Sequence, residues 1–186
     1  MRRLRAFEQV SLDGFFTDAG GDMSWAHKQD PEWNEFAASN AKGGGALLFG
    51  RVTYQMMERY WPSPAAREAN AAVAEGMNKM PKVVFSRTLD MAAWSNTTLM
   101  KSDPAAAVRK MKSEPGPDMV ILGSGTIVSQ LAQAGLIDEY QIVVNPIVLG
   151  KGRTLFETVD KKIGLKRIRT RPFSNGNVVL WYEPVA

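Results

Sequence analysis

Three stretches of this 186-residue chain share a pattern with chemical consequences. Each runs from an apolar, strand-like segment into small or hydroxyl residues and then into a helix or loop. They are Leu47-Leu48-Phe49-Gly50-Arg51-Val52-Thr53, Val83-Val84-Phe85-Ser86-Arg87-Thr88 and Val120-Ile121-Leu122-Gly123-Ser124-Gly125-Thr126. The pattern suits phosphate. A helix start offers free backbone N–H groups and a partial positive charge. Glycine lets an anion approach the backbone closely, and Arg51 and Arg87 add forked cationic donors. Thr53, Ser86 and Ser124 add hydroxyls. Each stretch alone also reads as an ordinary turn: the third lacks the last glycine of the dinucleotide fingerprint, and no Gly-Lys-Ser/Thr makes a P-loop. Three such junctions, two of them with arginine, point to a phosphate-rich nucleotide held at several points.

Composition narrows the remaining chemistry. The chain has no cysteine and a single histidine, His27. That excludes a disulfide framework, a thiolate nucleophile, a Cys-based zinc site and any site built from two histidines. A Ser-His-Asp triad would have to pass through His27, which reads more simply as a loop histidine. Catalysis therefore falls to a bound organic cofactor or to carboxylates and hydroxyls. A net charge of +4 favours an anionic ligand without implying nucleic acid. Arg167, Arg169 and Arg171 alternate along one segment and are expected to form a solvated sheet face. No apolar stretch resembles a signal sequence or a membrane span, so the expected setting is the cytoplasm.

The elements that must position these residues follow from periodicity and punctuation. Strands are expected at Leu4–Val10, Ala46–Phe49, Lys82–Ser86, Thr97–Met100, Met119–Leu122 and Glu139–Val144, the last continued by Ile147-Val148-Leu149 after Asn145-Pro146. Ser11–Gly21 reads as a loop. Helices are expected at Pro31–Asn40, Thr53–Tyr60, Ala65–Met77, Pro104–Lys112 and Thr126–Ala134. Asp30 and Asp103 stand as N-caps before proline, and Gly135 as a stop. A hairpin closes the chain, Leu165–Phe173 with Val178–Tyr182 around Asn175-Gly176. This is one α/β domain over residues 1–186, with a mostly parallel central sheet flanked by helices and a C-terminal antiparallel hairpin. Ligands of such sheets bind at the carboxyl ends of the strands, where chain order switches.

With these motifs in order, the chain resembles the dihydrofolate reductase-like family. The resemblance is to the stand-alone proteins similar to the C-terminal reductase domain of the bifunctional riboflavin-biosynthesis deaminase-reductase. It is carried by Val10–Phe15, Phe49–Tyr54, Ser86–Thr88, Leu122–Thr126, Leu136–Tyr140 and Asn145–Phe156, nearly the whole chain. The resemblance implies NADPH. Gly50, Arg51 and Thr53 would hold phosphates at a helix start. Ser86, Arg87 and Thr88 would sit beside the adenosine ribose, with Arg87 on the 2′-phosphate. Gly123, Ser124, Gly125, Thr126 and Ile127 would wrap the pyrophosphate and nicotinamide ribose, and Leu12, Asp13 and Gly14 would cover the nicotinamide. Related reductases often carry a basic residue where Thr126 stands, which shifts weight onto Arg51 and Arg87.

On the substrate side the resemblance implies Asp30 as proton donor, which its N-cap position also explains. It implies Trp25, Asn145 and Lys151 as substrate contacts, with Glu32 a weaker acid. Trp25, Trp33, Trp61 and Met56 are either cleft lining or core. The expected activity is NADPH-dependent hydride transfer to a small heterocyclic or ribosylaminopyrimidine-like substrate. No deaminase half is expected in this sequence, since without cysteine its zinc site cannot form. Alternatives are a nucleotide-binding protein without turnover and a dihydrofolate reductase-type activity. The resemblance also implies a homodimer; neither a metal nor a nucleic-acid partner is expected.

Overall fold

The alternating strands and helices assemble one eight-stranded sheet in the computed structural model, which describes residues 1–26, 30–42 and 44–185. His27 and Gly43 lie outside the described residues. The strands of this sheet are β1 (Leu4–Ser11), β3 (Ala46–Gly50), β4 (Lys82–Phe85), β5 (Thr97–Met100), β6 (Met119–Leu122), β7 (Glu139–Asn145), β9 (Leu165–Pro172) and β10 (Val178–Pro184). Their order is β5-β4-β3-β6-β1-β7-β10-β9. The first six run parallel, and β10 and β9 add the antiparallel hairpin. Helices α1 (Pro31–Lys42), α2 (Arg51–Tyr60), α3 (Pro64–Lys79), α4 (Pro104–Ser113) and α5 (Gly125–Gln133) make the crossovers.

Strand alternation divides the apolar side chains between two cores. Leu4, Ala6, Leu48, Ile121 and Tyr140 point to the face covered by α4 and α5. Leu47, Phe49 and Val84 point to the other, where Tyr54 of α2 and Val73 and Met77 of α3 meet them. Farther along that second face, Trp33 and Phe36 of α1 pack on Val143, Val179 and Trp181. The chain leaves β3 toward one face and the adjacent β6 toward the other. That divergence is the switch point of the sheet.

The structure corrects the expectations in four places. First, Ser11–Gly21 contains a strand, β2 (Phe15–Asp18), paired antiparallel with β8 (Gly152–Thr154) as a separate ribbon. A Cβ at Gly152 would lie 2.0 Å from the Thr17 carbonyl oxygen, so only glycine permits this pairing. Second, Ile147–Leu149 do not prolong β7. The Ile147 N–H turns back to the Asn145 carbonyl at 2.8 Å and the strand ends. Third, α3 is interrupted at Asn70 (φ −161°, ψ 93°), whose side chain accepts from Val73 N–H at 3.2 Å and restarts the helix. Fourth, a register shift between Trp181 and Tyr182 places Arg167 opposite Tyr182, off the face that Arg169 and Arg171 share. Those two are not merely solvated: Arg169 lies over Trp181, and Arg171 lies over Phe173 and bonds Glu32 at 3.1 Å. Among the described residues no helix is long and apolar enough to cross a membrane.

Candidate functional site

The turns after β3 and β6 stand side by side at the switch point because their strands are neighbours. Two hydrogen bonds tie them together. The Thr53 hydroxyl donates to the Gly123 carbonyl at 2.7 Å, and the Gly50 N–H donates to the Ser124 hydroxyl at 2.8 Å. Both hydroxyl side chains are buried. Neither is spent on its own helix: α2 starts after Gly50 and α5 after Ser124 with no side-chain cap. Their first-turn N–H groups are thus left without side-chain acceptors, at the point where two helix dipoles bring partial positive charge together. Gly123 takes a left-handed backbone (φ 55°) that lets the chain turn from β6 into α5.

Two further groups of the expected cofactor site border this crevice. Arg51 is exposed and reaches Gln55 at 3.1 Å. Past β4, Ser86 accepts from the N–H groups of Thr88 and Leu89, at 3.2 and 2.9 Å, and so shapes a tight turn. That turn presents Arg87 to solvent with no hydrogen bond or ion pair to a described residue. Thr126 is exposed on α5 and Ile127 is buried.

The segment carrying Leu12, Asp13 and Gly14 is fastened across the top of the sheet. Leu12 is exposed, and its N–H donates to the Ile147 carbonyl at 2.8 Å. The Asp13 carboxylate accepts from Ser11 Oγ at 2.7 Å and from the N–H groups of Leu149 and Gly150 at 3.1 and 2.7 Å. These bonds, the Ser11 hydroxyl foremost, hold its pKa down to about 2. Asp13 therefore joins two loops. Just beyond it, the buried Phe16 ring lies against Gly125, where a Cβ would be 2.5 Å from Cζ. A side chain at position 125 has no room beneath that ring.

A cavity of about 610 Å³ opens beside the crevice, beneath α1 and between α2, α3 and the sheet. Gly123 belongs to its wall. Phe7, Met57, Trp61, Met77 and Leu122 make much of the lining, and Gln9 and Gln141 supply amides. Met56 and Trp61, read from the sequence as possible lining, do line it, whereas Trp33 is core. Met23 reaches the cavity, but Trp25, whose Nε1 donates to the Asp22 carbonyl at 3.1 Å, is not part of its wall.

The other expected substrate residues also stand apart from this wall. Asp30 caps α1 through Trp33 N–H at 2.8 Å and accepts from Ser174 Oγ at 3.0 Å. Glu32 is held by Arg171. Asn145 is fully buried, and its amide donates to the Val10 carbonyl at 3.2 Å, securing the ends of β1 and β7. Lys151 is exposed on the loop before β8. The acids that do line the cavity, Asp118 and Glu139, precede β6 and begin β7, so they lie at the opposite end from Gly123.

One buried acid was not anticipated. Glu8 sits on β1 between Ala6 and Val10, in the inward positions of the strand, and is 1% exposed. Its carboxyl faces the backbone N–H groups of Gly123 and Ser124 without reaching hydrogen-bond geometry. Burial pushes its pKa well above the ordinary range. The sequence did carry a signal: a carboxylate in the inward phase of Leu4-Ala6-Glu8-Val10.

Comparison with known proteins identifies the family of this fold. The uncharacterized protein YyaP of Bacillus subtilis (strain 168) is 29% identical over 186 residues, covering 98% of this chain and 95% of that protein. A Shewanella sp. PV-4 structure named for riboflavin biosynthesis matches with a TM-score of 0.77 at 21% identity, over 99% of both chains. The diaminohydroxyphosphoribosylaminopyrimidine deaminase/5-amino-6-(5-phosphoribosylamino)uracil reductase of Thermotoga maritima matches with a TM-score of 0.65 at 14% identity, over 99% of this chain and 57% of that one. Residues 2–179 match the RibD C-terminal domain family. The chain belongs to that family, and the fold it adopts is the family's reductase-like domain.

Proposed function

We propose that the chain is an NADPH-dependent reductase acting on a small heterocycle held in the cavity. The observation that carries this reading is the double membership of Gly123. It forms the turn that starts α5, and it is part of the cavity wall. A dinucleotide seated on the starts of α2 and α5 would therefore end beside the cavity. The residues present fit such a ligand. Two uncapped helix starts meet there, the left-handed Gly123 turn lies between them, and Arg87 is an uncommitted cation at the edge. Arg87 would pair with a 2′-phosphate and favour NADPH over NADH. When bound, NADPH would supply the hydride for the carbon of a C=N or C=O bond, with a proton from water completing the heteroatom.

The chain's own part is then positional. Thr53 and Ser124 hold the two helix starts in register, while Met57, Trp61 and Leu122 offer a ring an apolar wall. The nearest named reaction is that of the T. maritima relative. A second reading, nucleotide binding without turnover, is favoured by one observation. Asp30 is engaged as a helix cap and bonded to Ser174, away from the cavity wall. Titration with NADPH, followed by fluorescence and thermal shift, tests the first reading. Saturable binding is expected, and none at millimolar concentration would overturn it. NADPH oxidation over a panel of heterocycles decides between turnover and binding alone.

A further inference from the structure

Two of the amides on the cavity wall, Gln9 and Gln141, come from adjacent strands of the sheet. Gln141 on β7 is 2% exposed and lines the cavity, and its side chain makes no hydrogen bond with a described residue. Gln9 on β1 lines the same wall. Its Oε1 receives only a long contact from Asn145 Nδ2 at 3.4 Å, and its NH₂ has no described partner. The parallel register pairs Phe7 with Gln141 and Gln9 with Val143. The two amides therefore project from adjacent strands on the same face, two residues apart. Each offers one acceptor and two donors. Neither amide is shut away from solvent: both open onto the cavity, where a ligand or water supplies the partners that the packing does not.

The surroundings restrict what that ligand is. Met57, Met77 and Met80 give an adaptable thioether wall, with Phe7 and Leu122 across from it. The arginines that reach the cavity, Arg3 and Arg5, stand at the end away from Gly123. They are ion-paired with Glu183 at 2.8 Å and Glu139 at 2.7 Å. We propose that the substrate is an uncharged, planar ring with an N–H/C=O edge, read by Gln141 and Gln9, and that it carries no phosphate. Calling it the substrate rests on the reductase reading; its binding does not. This sets the chain apart from the phosphoribosylated pyrimidine in the name of its T. maritima relative.

Three compounds with one ring system test the proposal: lumichrome, riboflavin and riboflavin 5′-phosphate. The first two are neutral, and the third differs from the second by the phosphate alone. Ligand fluorescence is titrated with protein, without NADPH. Lumichrome is expected to bind, and the phosphate ester to bind at least about tenfold more weakly than riboflavin. Gln141→Leu is expected to weaken lumichrome binding about tenfold, while the melting temperature holds because the amide makes no hydrogen bond with a described residue. A residue with a merely structural role would lower the melting temperature instead. Should Gln141→Leu fail to fold, Gln9→Leu is measured in the same way. Absence of lumichrome binding, equal binding of the phosphate ester, or undiminished binding by the leucine variants overturns the proposal. A parallel NADPH titration keeps the two readings separate: its failure removes the reductase and leaves the ring-binding result standing.

Discussion

Helices α4 and α5 both begin just after a loop, with a short polar residue at the N-cap, yet they spend that residue differently. Asp103 accepts from Ala106 N–H at 2.8 Å and finishes the start of its own helix. Asp30 and Ser63 do the same for α1 and α3. Ser124 instead accepts from Gly50 N–H across the crevice, and α5 is left uncapped. Helix α2, with glycine at its cap, is uncapped as well. The peripheral helices satisfy themselves, whereas the two at the switch point are held in place by each other and leave their first-turn N–H groups without side-chain acceptors. Capping usually stabilises a helix by about 1 kcal/mol. Its absence at both starts, and only where β3 and β6 diverge, marks the crevice independently of any motif.

This contrast can be broken by substitution. Gly125→Ala has the largest expected effect. The new methyl meets the buried Phe16 ring, so stability should fall by about 1–3 kcal/mol in urea denaturation, and NADPH affinity should collapse. Unchanged affinity would separate the α5 start from the cofactor. Arg87→Ala should weaken NADPH about 10- to 100-fold, as expected for a lost charge-assisted pair, with NADH binding and melting temperature unaltered. Equal losses for both cofactors would remove the 2′-phosphate assignment. Next comes a matched pair. Asp103→Ala should cost about 1 kcal/mol and leave NADPH binding alone, while Ser124→Ala should cost a similar amount and weaken NADPH. If the two variants behave alike in binding, the distinction between the helix starts fails.

The smallest effect at any one pH, but one with a characteristic slope, belongs to Glu8. Its folded pKa is raised, so the native state keeps a proton that the unfolded chain releases. Stability from this group is complete below the unfolded value, about 4.3, and is lost as pH rises through the folded value. Glu8→Gln should flatten that decline in melts collected from pH 4 to 9. An unchanged slope would show that the carboxyl finds charge compensation in the fold.

The crevice was legible in the sequence because its parts are local. Each turn lies between a strand and a helix within seven consecutive residues, as Leu47–Thr53 and Val120–Thr126 do. The caps of α1 and α4 were legible for the same reason. The β2–β8 ribbon was not, since Thr17 pairs with Arg153 only through the tertiary fold. The cavity was harder still. Gln9, Met57 and Gln141 have nothing in common along the chain, and they meet because β1 and β7 are parallel neighbours under α1. Residues chosen by resemblance, such as Asn145 and Asp30, proved to be engaged in strand and helix ends. Short polar side chains beside a turn are often claimed first by the backbone.

The Asp13 carboxylate has a kinetic consequence for the whole upper surface. It grips the amides of Leu149 and Gly150 from a loop more than a hundred residues earlier, and its pKa near 2 keeps it charged through the whole pH range in which proteins ordinarily work. The two loops are thereby fastened to each other. The amide protons of Leu149 and Gly150 should be protected from solvent exchange together, and Asp13→Ala should release both.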